Sequence, residues 1–235
     1  MSTLRKVRMP PLLEPFEQEY PSVRGITEGH VKHIFYRLER RRVMFRGDEI
    51  AELHFLMRGL GLDCEMSEGD KRSVDSNLRR VRGTDFGWGV AKLLYHMREL
   101  GWKIGMDDAD KKSMVKALIR FRQAGDIRLA AIHDYMHELG VETKVEPIDG
   151  YWFEKRLMEA RRRGEGRELV ELHYHMRRIG CPAPITAGDD EMIGGELKAT
   201  DDGEKIAAIH YYTRMLRETS GRKQTPLPPV RRFKG

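Results

Sequence analysis

The chain contains little of what marks a secreted, membrane or β-sheet protein. Its 235 residues include two cysteines, Cys64 and Cys181, and nothing in their surroundings argues for a disulfide between them. Two cysteines only weakly suggest a reducing compartment. Apolar runs fall short of the roughly 18 residues that span a bilayer. A sustained period-two pattern bounded by turn residues is also missing, so strands are not expected.

Motifs for catalysis are missing as well. The sequence has no phosphate-binding loop, nucleophile elbow, HExxH or paired-cysteine zinc pattern. Acidic clusters such as Asp107–Asp110 fall between repeats, where helix capping accounts for them. We therefore expect a protein that is not an enzyme and that has no cofactor, no resident metal, no membrane partner and no small-molecule substrate.

The net charge of +6 is concentrated at the two ends. Residues 1–46 carry ten Lys/Arg against five Glu, and residues 222–235 carry five Lys/Arg and no acid. Residues 47–221 carry 28 basic and 32 acidic side chains, which gives −4. Basic arms on a folded body often bind nucleic acid, although solubility tails without a partner are the plainer explanation.

What the sequence does contain is one phrase, a short sequence motif, that recurs at intervals of about forty residues. It has the form Ala/Val-x-Leu/Ile-His/Leu-x-x-Met, and its methionines are Met57, Met97, Met136 and Met176. A degraded fifth copy has Thr213 in the methionine position. This period predicts an all-α solenoid in which each helix pair packs against its neighbours.

Each unit reads as a first helix, a short turn and a second helix. We expect the first unit to begin at Thr27 or Glu28, and the later ones near Asp70, Asp110, Asp149 and Asp189. The predicted αL glycines that end the second helices are Gly61, Gly101, Gly140 and Gly180. The predicted organisation is an extended arm over 1–27, a helical-repeat solenoid over 28–221 and a basic, proline-rich tail over 222–235.

The unit resembles the pentatricopeptide repeat. The resemblance is carried by the Ala, the apolar residue two later, the Met and the Gly four after it, and residues 111–142 show it best. It implies a right-handed solenoid of about five helix pairs, RNA binding and a mitochondrial location. The usual Pro-Asp ending and the first-helix Asn of the family are not found, so its base-reading code is not carried over.

The clearest candidate site is a ladder of arginines at the ends of the first helices, because the guanidinium fork suits phosphate oxygens. Dipole satisfaction at helix C-termini is the structural alternative. The ladder breaks near Lys198 in the last unit. The predicted RNA-binding residues, ladder and tail together, are Arg40, Arg41, Arg42, Arg79, Arg80, Arg82, Arg120, Arg122, Arg161, Arg162, Arg163, Arg222, Lys223, Arg231, Arg232 and Lys234.

Two further columns are in register. Histidines 54, 133, 173 and 210 are expected to pack between layers and bond a backbone group. The residue after each Met, as in Arg58 and Arg98, belongs to a solvated face or to a contact surface. Together these features predict a non-catalytic RNA- and protein-binding protein, an accessory component of the mitochondrial ribosome. An organellar RNA-processing or stability factor and a tetratricopeptide-like protein scaffold without RNA binding are the alternatives.

Overall fold

The computed structural model describes residues 21–62, 64–84 and 86–220, and within them every regular element is an α-helix. The prediction of an all-helical fold is confirmed. In chain order the helices are α1 (Glu28–Val43), α2 (Gly47–Gly59), α3 (Glu68–Arg82), α4 (Gly87–Glu99), α5 (Asp108–Ala124), α6 (Leu129–Glu138), α7 (Pro147–Arg163), α8 (Gly166–Arg178), α9 (Ala187–Ala199) and α10 (Gly203–Ser220).

The helices form two layers. The second helices of the units, α2, α4, α6, α8 and α10, pack side by side as an inner layer. Each first helix lies outside, over the groove between two inner helices; α3, for example, packs on both α2 and α4. The inner layer carries most of the core, because nearly every residue from Ile50 to Met57 is buried, whereas α1 buries three residues.

The array of units closes on itself. Helix α10 packs against α8 on one side and against α2 on the other, and α1 lies over the groove between α10 and α2. The fifth unit therefore contacts the first in the same way that each earlier unit contacts the next. The repeat period does not predict this closure. The sequence predicted a solenoid of helix pairs, with no contact between its first and last units.

One glycine contact shows that the closing interface has the same geometry. Gly47 and Gly87 begin inner helices and lie so close to Ser73 and Ser113 of the next outer helix that an added Cβ would overlap the serine carbonyl. Gly203 makes the same approach to the carbonyl of His33 on α1. Only a residue without a side chain fits such a crossing.

The starts of the outer helices explain the four aspartates of the sequence pattern. Asp70, Asp110, Asp149 and Asp189 lie two residues inside their helices rather than at the first residue. Each is the third residue of a capping box, in which its carboxylate accepts a hydrogen bond from the backbone N–H of the cap residue. The predicted starts are thus two residues late.

The ends of the inner helices agree with the sequence. Gly61, Gly101, Gly140 and Gly180 all have positive φ, between 72° and 85°, as predicted for αL terminators. The methionine column is buried core, with at most 3% of any of its four side chains exposed. Thr213 is completely buried in the same register.

The arm predicted over 1–27 is described only from residue 21. Within that stretch the backbone N–H of Ser22 donates to the carboxylate of Asp190 at 3.1 Å, and Val23 is buried. The carbonyl of Val23 accepts a hydrogen bond from Arg217 at 2.9 Å. Residues 22 and 23 therefore pack on the fifth unit. Among the described helices, none has the length and apolarity needed to cross a membrane.

Candidate functional site

Four ladder arginines form a repeated contact between units. Arg42 binds the capping-box carboxylate of Asp70 through two guanidinium nitrogens, with N–O distances of 2.8 and 2.6 Å. Arg82 binds Asp110 in the same way, at 3.0 and 2.7 Å. The other two pairs are Arg122 with Asp149 and Arg161 with Asp189. We call these four bidentate pairs the clamps.

The clamps are anchored in the protein interior. The four aspartates are 0–3% exposed, so their charges depend on the arginine of the preceding unit. Burial by itself would raise the pKa of Asp70, but hydrogen bonds from His54, Arg42 and Ser67 outweigh it and hold that pKa below its ordinary value. The pKa of Asp149 is lowered in the same manner by His133 and Arg122. At these two clamps an ionised carboxylate therefore faces a guanidinium group.

The histidine column completes three of the clamps. The Nε2 atoms of His54, His133 and His173 lie 3.4, 3.2 and 3.4 Å from the carboxylates of Asp70, Asp149 and Asp189. These histidines are buried between layers, as predicted. Their partner is a capping carboxylate of the next unit rather than the backbone group that was expected.

The arginine ladder thus contains four arginines that belong to clamps and others that do not. The clamps engage Arg42, Arg82, Arg122 and Arg161, whose guanidinium groups are committed to aspartates. Arg41 and Arg163 are also paired, with Glu49 and with Glu165 and Glu168, and Arg79 pairs with Asp75 along α3. Outside the clamps, the ladder arginines with exposed side chains are Arg40, Arg79, Arg80, Arg120, Arg162 and Arg163. The tail residues Arg222, Lys223, Arg231, Arg232 and Lys234 lie outside the described residues.

The second arginine column bonds the ends of neighbouring inner helices. Arg58 donates to the carbonyl of Glu99 at 3.0 Å, and Arg177 donates to that of Leu216 at 2.8 Å. Arg98 donates to the carbonyl of Glu138 in the same register. Carbonyls near a helix C-terminus are open to such partners, so these three arginines tie α2 to α4, α4 to α6 and α8 to α10, whereas Arg214 pairs with Glu218 on its own helix.

The closing interface, which we call the seam, has no clamp. Its equivalent of the capping aspartate is His30, the third residue of α1. Each clamp arginine lies twelve residues after the third residue of its own outer helix, and the residue in that register after Asp189 is Asp201, beyond the end of α9. His210, the last member of the histidine column, meets His30 with an Nε2–Nδ1 distance of 2.9 Å. Arg37 supplies ion pairs here, at 3.3 Å from Asp202 and from Glu204.

The outward faces of three outer helices alternate cations with apolar or aromatic side chains. On α7 the stripe consists of Tyr151, Lys155, Met158 and Arg162, at helical spacings of four and three; Lys155 is half-buried and the other three are exposed. Tyr151 is 56% exposed and Met158 61%. The corresponding stripes on the other two helices are Lys32, Tyr36, Arg40 and Val43 on α1, and Lys112, Val115, Lys116, Ile119 and Arg120 on α5. We call these the outer stripes.

Sequence reasoning missed a buried ionic group on the inner side of the ring, which we call the axial cluster. The Nζ of Lys92 lies 2.7 Å from Glu52. Arg167 lies 3.3 Å from Glu204, 3.7 Å from Glu52 and 3.8 Å from Glu171. These residues come from α2, α4, α8 and α10, so the cluster links units that are not neighbours in sequence.

The axial cluster has a signal in the repeat itself. Glu52, Lys92 and Glu171 all occupy the variable position directly after the small first residue of the repeated phrase. Burial would raise the pKa of Glu52, but Lys92 and Arg167 lower it to about 2. Burial lowers the pKa of the neighbouring His96 to about 3. Charges at a position flanked by buried apolar residues indicated an interior site.

Comparison with known proteins adds no name to this arrangement: no family model, no curated protein and no solved structure matches the chain. Cys64 and Cys181 are both unpaired, half-buried thiols. In the part of the chain that the structure describes, no group of three or more His, Cys, Asp or Glu side chains is placed to hold a metal ion.

Proposed function

We propose that this protein is a non-catalytic RNA- and protein-binding ring that uses the outer stripes and the basic tail. The observation that supports this most is the alternation of exposed cations with exposed apolar or aromatic side chains on α1, α5 and α7. Proteins that hold single strands without reading sequence combine a cationic track with aromatic platforms for the bases. Arg40 already stacks on Tyr36, with its guanidinium carbon 6.0 Å from the ring centroid.

The proposed setting is that of an accessory protein of the mitochondrial ribosome. It rests on the resemblance to pentatricopeptide repeats, which also suggests a right-handed course of the helix pairs. The charge distribution supports it, because five tail cations follow a body that is close to neutral. A body of this charge is suited to contacts with neighbouring proteins, and a basic tail is suited to contacts with closely packed phosphates.

The geometry favours this proposal over a peptide-binding scaffold. A scaffold of helix pairs binds its peptide in an open concave groove. In the described residues the inner helices pack against one another around the whole ring, so this face is filled by their own side chains. A sequence-specific RNA factor is the other alternative, and it requires the base-reading residues that the repeats do not have.

Salt dependence of RNA binding tests the proposal directly. We expect a labelled single-stranded RNA of mixed sequence to bind the full chain with an affinity that falls with salt by about 0.7 in log–log slope for each phosphate contact. Replacing four exposed cations of the outer stripes, Lys32, Arg40, Lys112 and Arg162, with Gln should reduce that slope by about 3. Removing residues 222–235 should reduce it by a similar further amount, because five cations are lost.

A charge-matched variant serves as the control. Arg24, Arg72, Lys103 and Lys144 are exposed and lie off the outer stripes and the ladder. Replacing these four with Gln removes the same charge and should leave most of the slope intact. Equal losses in the two variants would contradict a defined RNA surface, and no measurable binding by the unmodified chain would refute the proposal. Sedimentation with a ribosomal subunit, lost after ribonuclease treatment, would test the ribosomal setting.

A further inference from the structure

A cavity of about 280 Å³ lies at the N-terminal ends of α6, α8 and α10, next to the axial cluster. One side of it is apolar and is formed by Ile127, Ala130, Ala131 and Leu172. Its volume is just below the range of roughly 300–1,000 Å³ that holds drug-sized ligands. The cavity therefore suits a molecule of few heavy atoms with an apolar part.

The rest of the lining is rich in acceptors. Glu165, Glu168, Glu171 and His175 belong to it, all from α8 or the residue before it. The side chain of Glu168 is 35% exposed, so the cavity reaches solvent there. Three cations also line the cavity, and each faces a carboxylate: Lys205 faces Glu196, Arg128 faces Asp126, and Arg167 faces the carboxylates of the axial cluster.

The cations around the cavity are shared among more carboxylates than they can neutralise. Arg163 serves both Glu165 and Glu168, at 2.9 and 3.1 Å. Arg167 reaches Glu171 only at 3.8 Å, because it also faces Glu52 and Glu204. If Arg37 is assigned to Glu204 and Lys92 to Glu52, the other three carboxylates share two arginines. The local balance is therefore negative.

His175 is a second, independent sign of a ligand. It is 1% exposed, and its Nδ1 lies 2.7 Å from the carboxylate of Asp134. In the neutral imidazole, Nδ1–H donates to that carboxylate, and Nε2 is left as an acceptor. Nε2 is buried without a hydrogen-bond partner, and its nearest ionisable neighbour is Glu171 at 3.9 Å. An unpartnered buried acceptor costs about 1–3 kcal/mol unless a donor reaches it.

We propose that this cavity binds a small aliphatic amine, with the ammonium group placed between Glu168, Glu171 and Nε2 of His175. An ammonium supplies N–H donors for three acceptors and offsets the unbalanced negative charge. Its alkyl part would lie along Ile127, Ala131 and Leu172. An anionic ligand would face the carboxylates, and a neutral alcohol would leave the charge uncompensated.

n-Butylamine is the probe for the first experiment, with thermal unfolding and calorimetric titration of the full chain as readouts. We expect n-butylamine at ten times its Kd to raise Tm by about 3 °C. Neither 1-butanol nor butyrate at the same concentration should do so, nor NaCl at matched ionic strength. A rise of equal size with NaCl or butyrate would overturn the proposal, and so would the absence of calorimetric binding.

Two variants locate the site. Glu171→Gln and Glu168→Gln should each weaken n-butylamine binding about tenfold or more, whereas Glu191→Gln, at an exposed position on α9, should leave the affinity unchanged. Burial and a hydrogen bond with Glu165 raise the pKa of Glu168 to about 7. Binding should therefore weaken as the pH falls from 8 to 6, and Glu168→Gln should flatten that dependence. Unchanged affinity in both cavity variants would overturn the assignment.

Discussion

Four of the interfaces between units are clamped, and the fifth, the seam, is not. At the clamps an arginine grips a buried capping carboxylate with two N–O contacts of 2.6–3.0 Å. At the seam the carboxylate is replaced by His30, and the ion pairs of Arg37 are single contacts of 3.3 Å. The glycine contact of Gly203 with α1 is nevertheless the same as elsewhere.

The difference shows that helix crossing and interface chemistry are separable. The seam keeps the close approach of the helices but has two imidazoles in place of an ion pair. A carboxylate and an arginine attract each other across the whole neutral pH range. Two imidazoles attract only while one of them is neutral. We therefore expect the seam to respond to acid before the clamped interfaces do.

Breaking a clamp should have the largest effect. Arg161→Met leaves Asp189 ionised and buried without its main partner, and removal of one member of a buried pair costs about 3–5 kcal/mol. Because the side chain of Arg161 is 31% exposed, we expect a smaller loss, a decrease of about 2–3 kcal/mol in the free energy of unfolding measured with urea. The neighbouring Arg162→Met, on an exposed side chain, is the matched control and should change it by less than about 0.5 kcal/mol. Similar losses in both would contradict the clamp.

Acid should open the seam before it weakens the clamps. Burial, His30 and Arg217 hold the pKa of His210 at about 3, below the value of about 6.5 for an unfolded chain. A neutral His210 thus stabilises the fold above pH 6.5, and this stability is lost as the pH falls toward 3. The loss should reach about 2 kcal/mol at pH 5.

His54 at a clamp has the opposite sign. Hydrogen bonds with Asp70 and Cys64 outweigh burial and raise its pKa to about 9, so its stabilisation is full below pH 6.5 and is lost as the pH rises through 9. The free energy of unfolding, measured with urea at pH 7 and at pH 5, reports on His210 at the seam, because the contribution of His54 is lost only at higher pH. His210→Gln should remove most of the loss at pH 5. An unchanged loss in that variant would place the acid sensitivity elsewhere.

Building a clamp into the seam should have the smallest effect and sharpens the comparison. The double substitution H30D with D201R places the two clamp residues in their register positions. We expect it to add about 1 kcal/mol at pH 5, because the introduced carboxylate favours the protonated form of His210. D201R alone should have little effect. If the double variant keeps the acid sensitivity of the unmodified chain, the seam differs in geometry as well as in chemistry.

The sequence predicted the units well because their periodicity is local. The methionine column and the αL glycines follow from helix packing and termination within one unit. The clamps were missed, although both partners had been noticed, as ladder arginines and as helix-start aspartates. They lie 27 or 28 residues apart, and their meeting depends on how one outer helix crosses the next.

Closure was harder to predict for a related reason. Whether the last unit reaches the first depends on the sum of the small rotations between successive units. No single residue in the sequence determines that sum. The sequence did hold two traces of it. The arginine ladder stops at Lys198, and His30 occupies the register of the capping aspartates. Both become meaningful only when α10 is known to lie beside α1.

A closed arrangement also fixes how this gene can change. Open arrays gain and lose whole units by recombination between similar segments, because one more unit simply lengthens the stack. Here an added unit would have to be inserted between α10 and α1, and a lost unit would leave a gap that no neighbour spans. The number of units in this chain is therefore tied to the closure of the ring, whereas an open array tolerates either change.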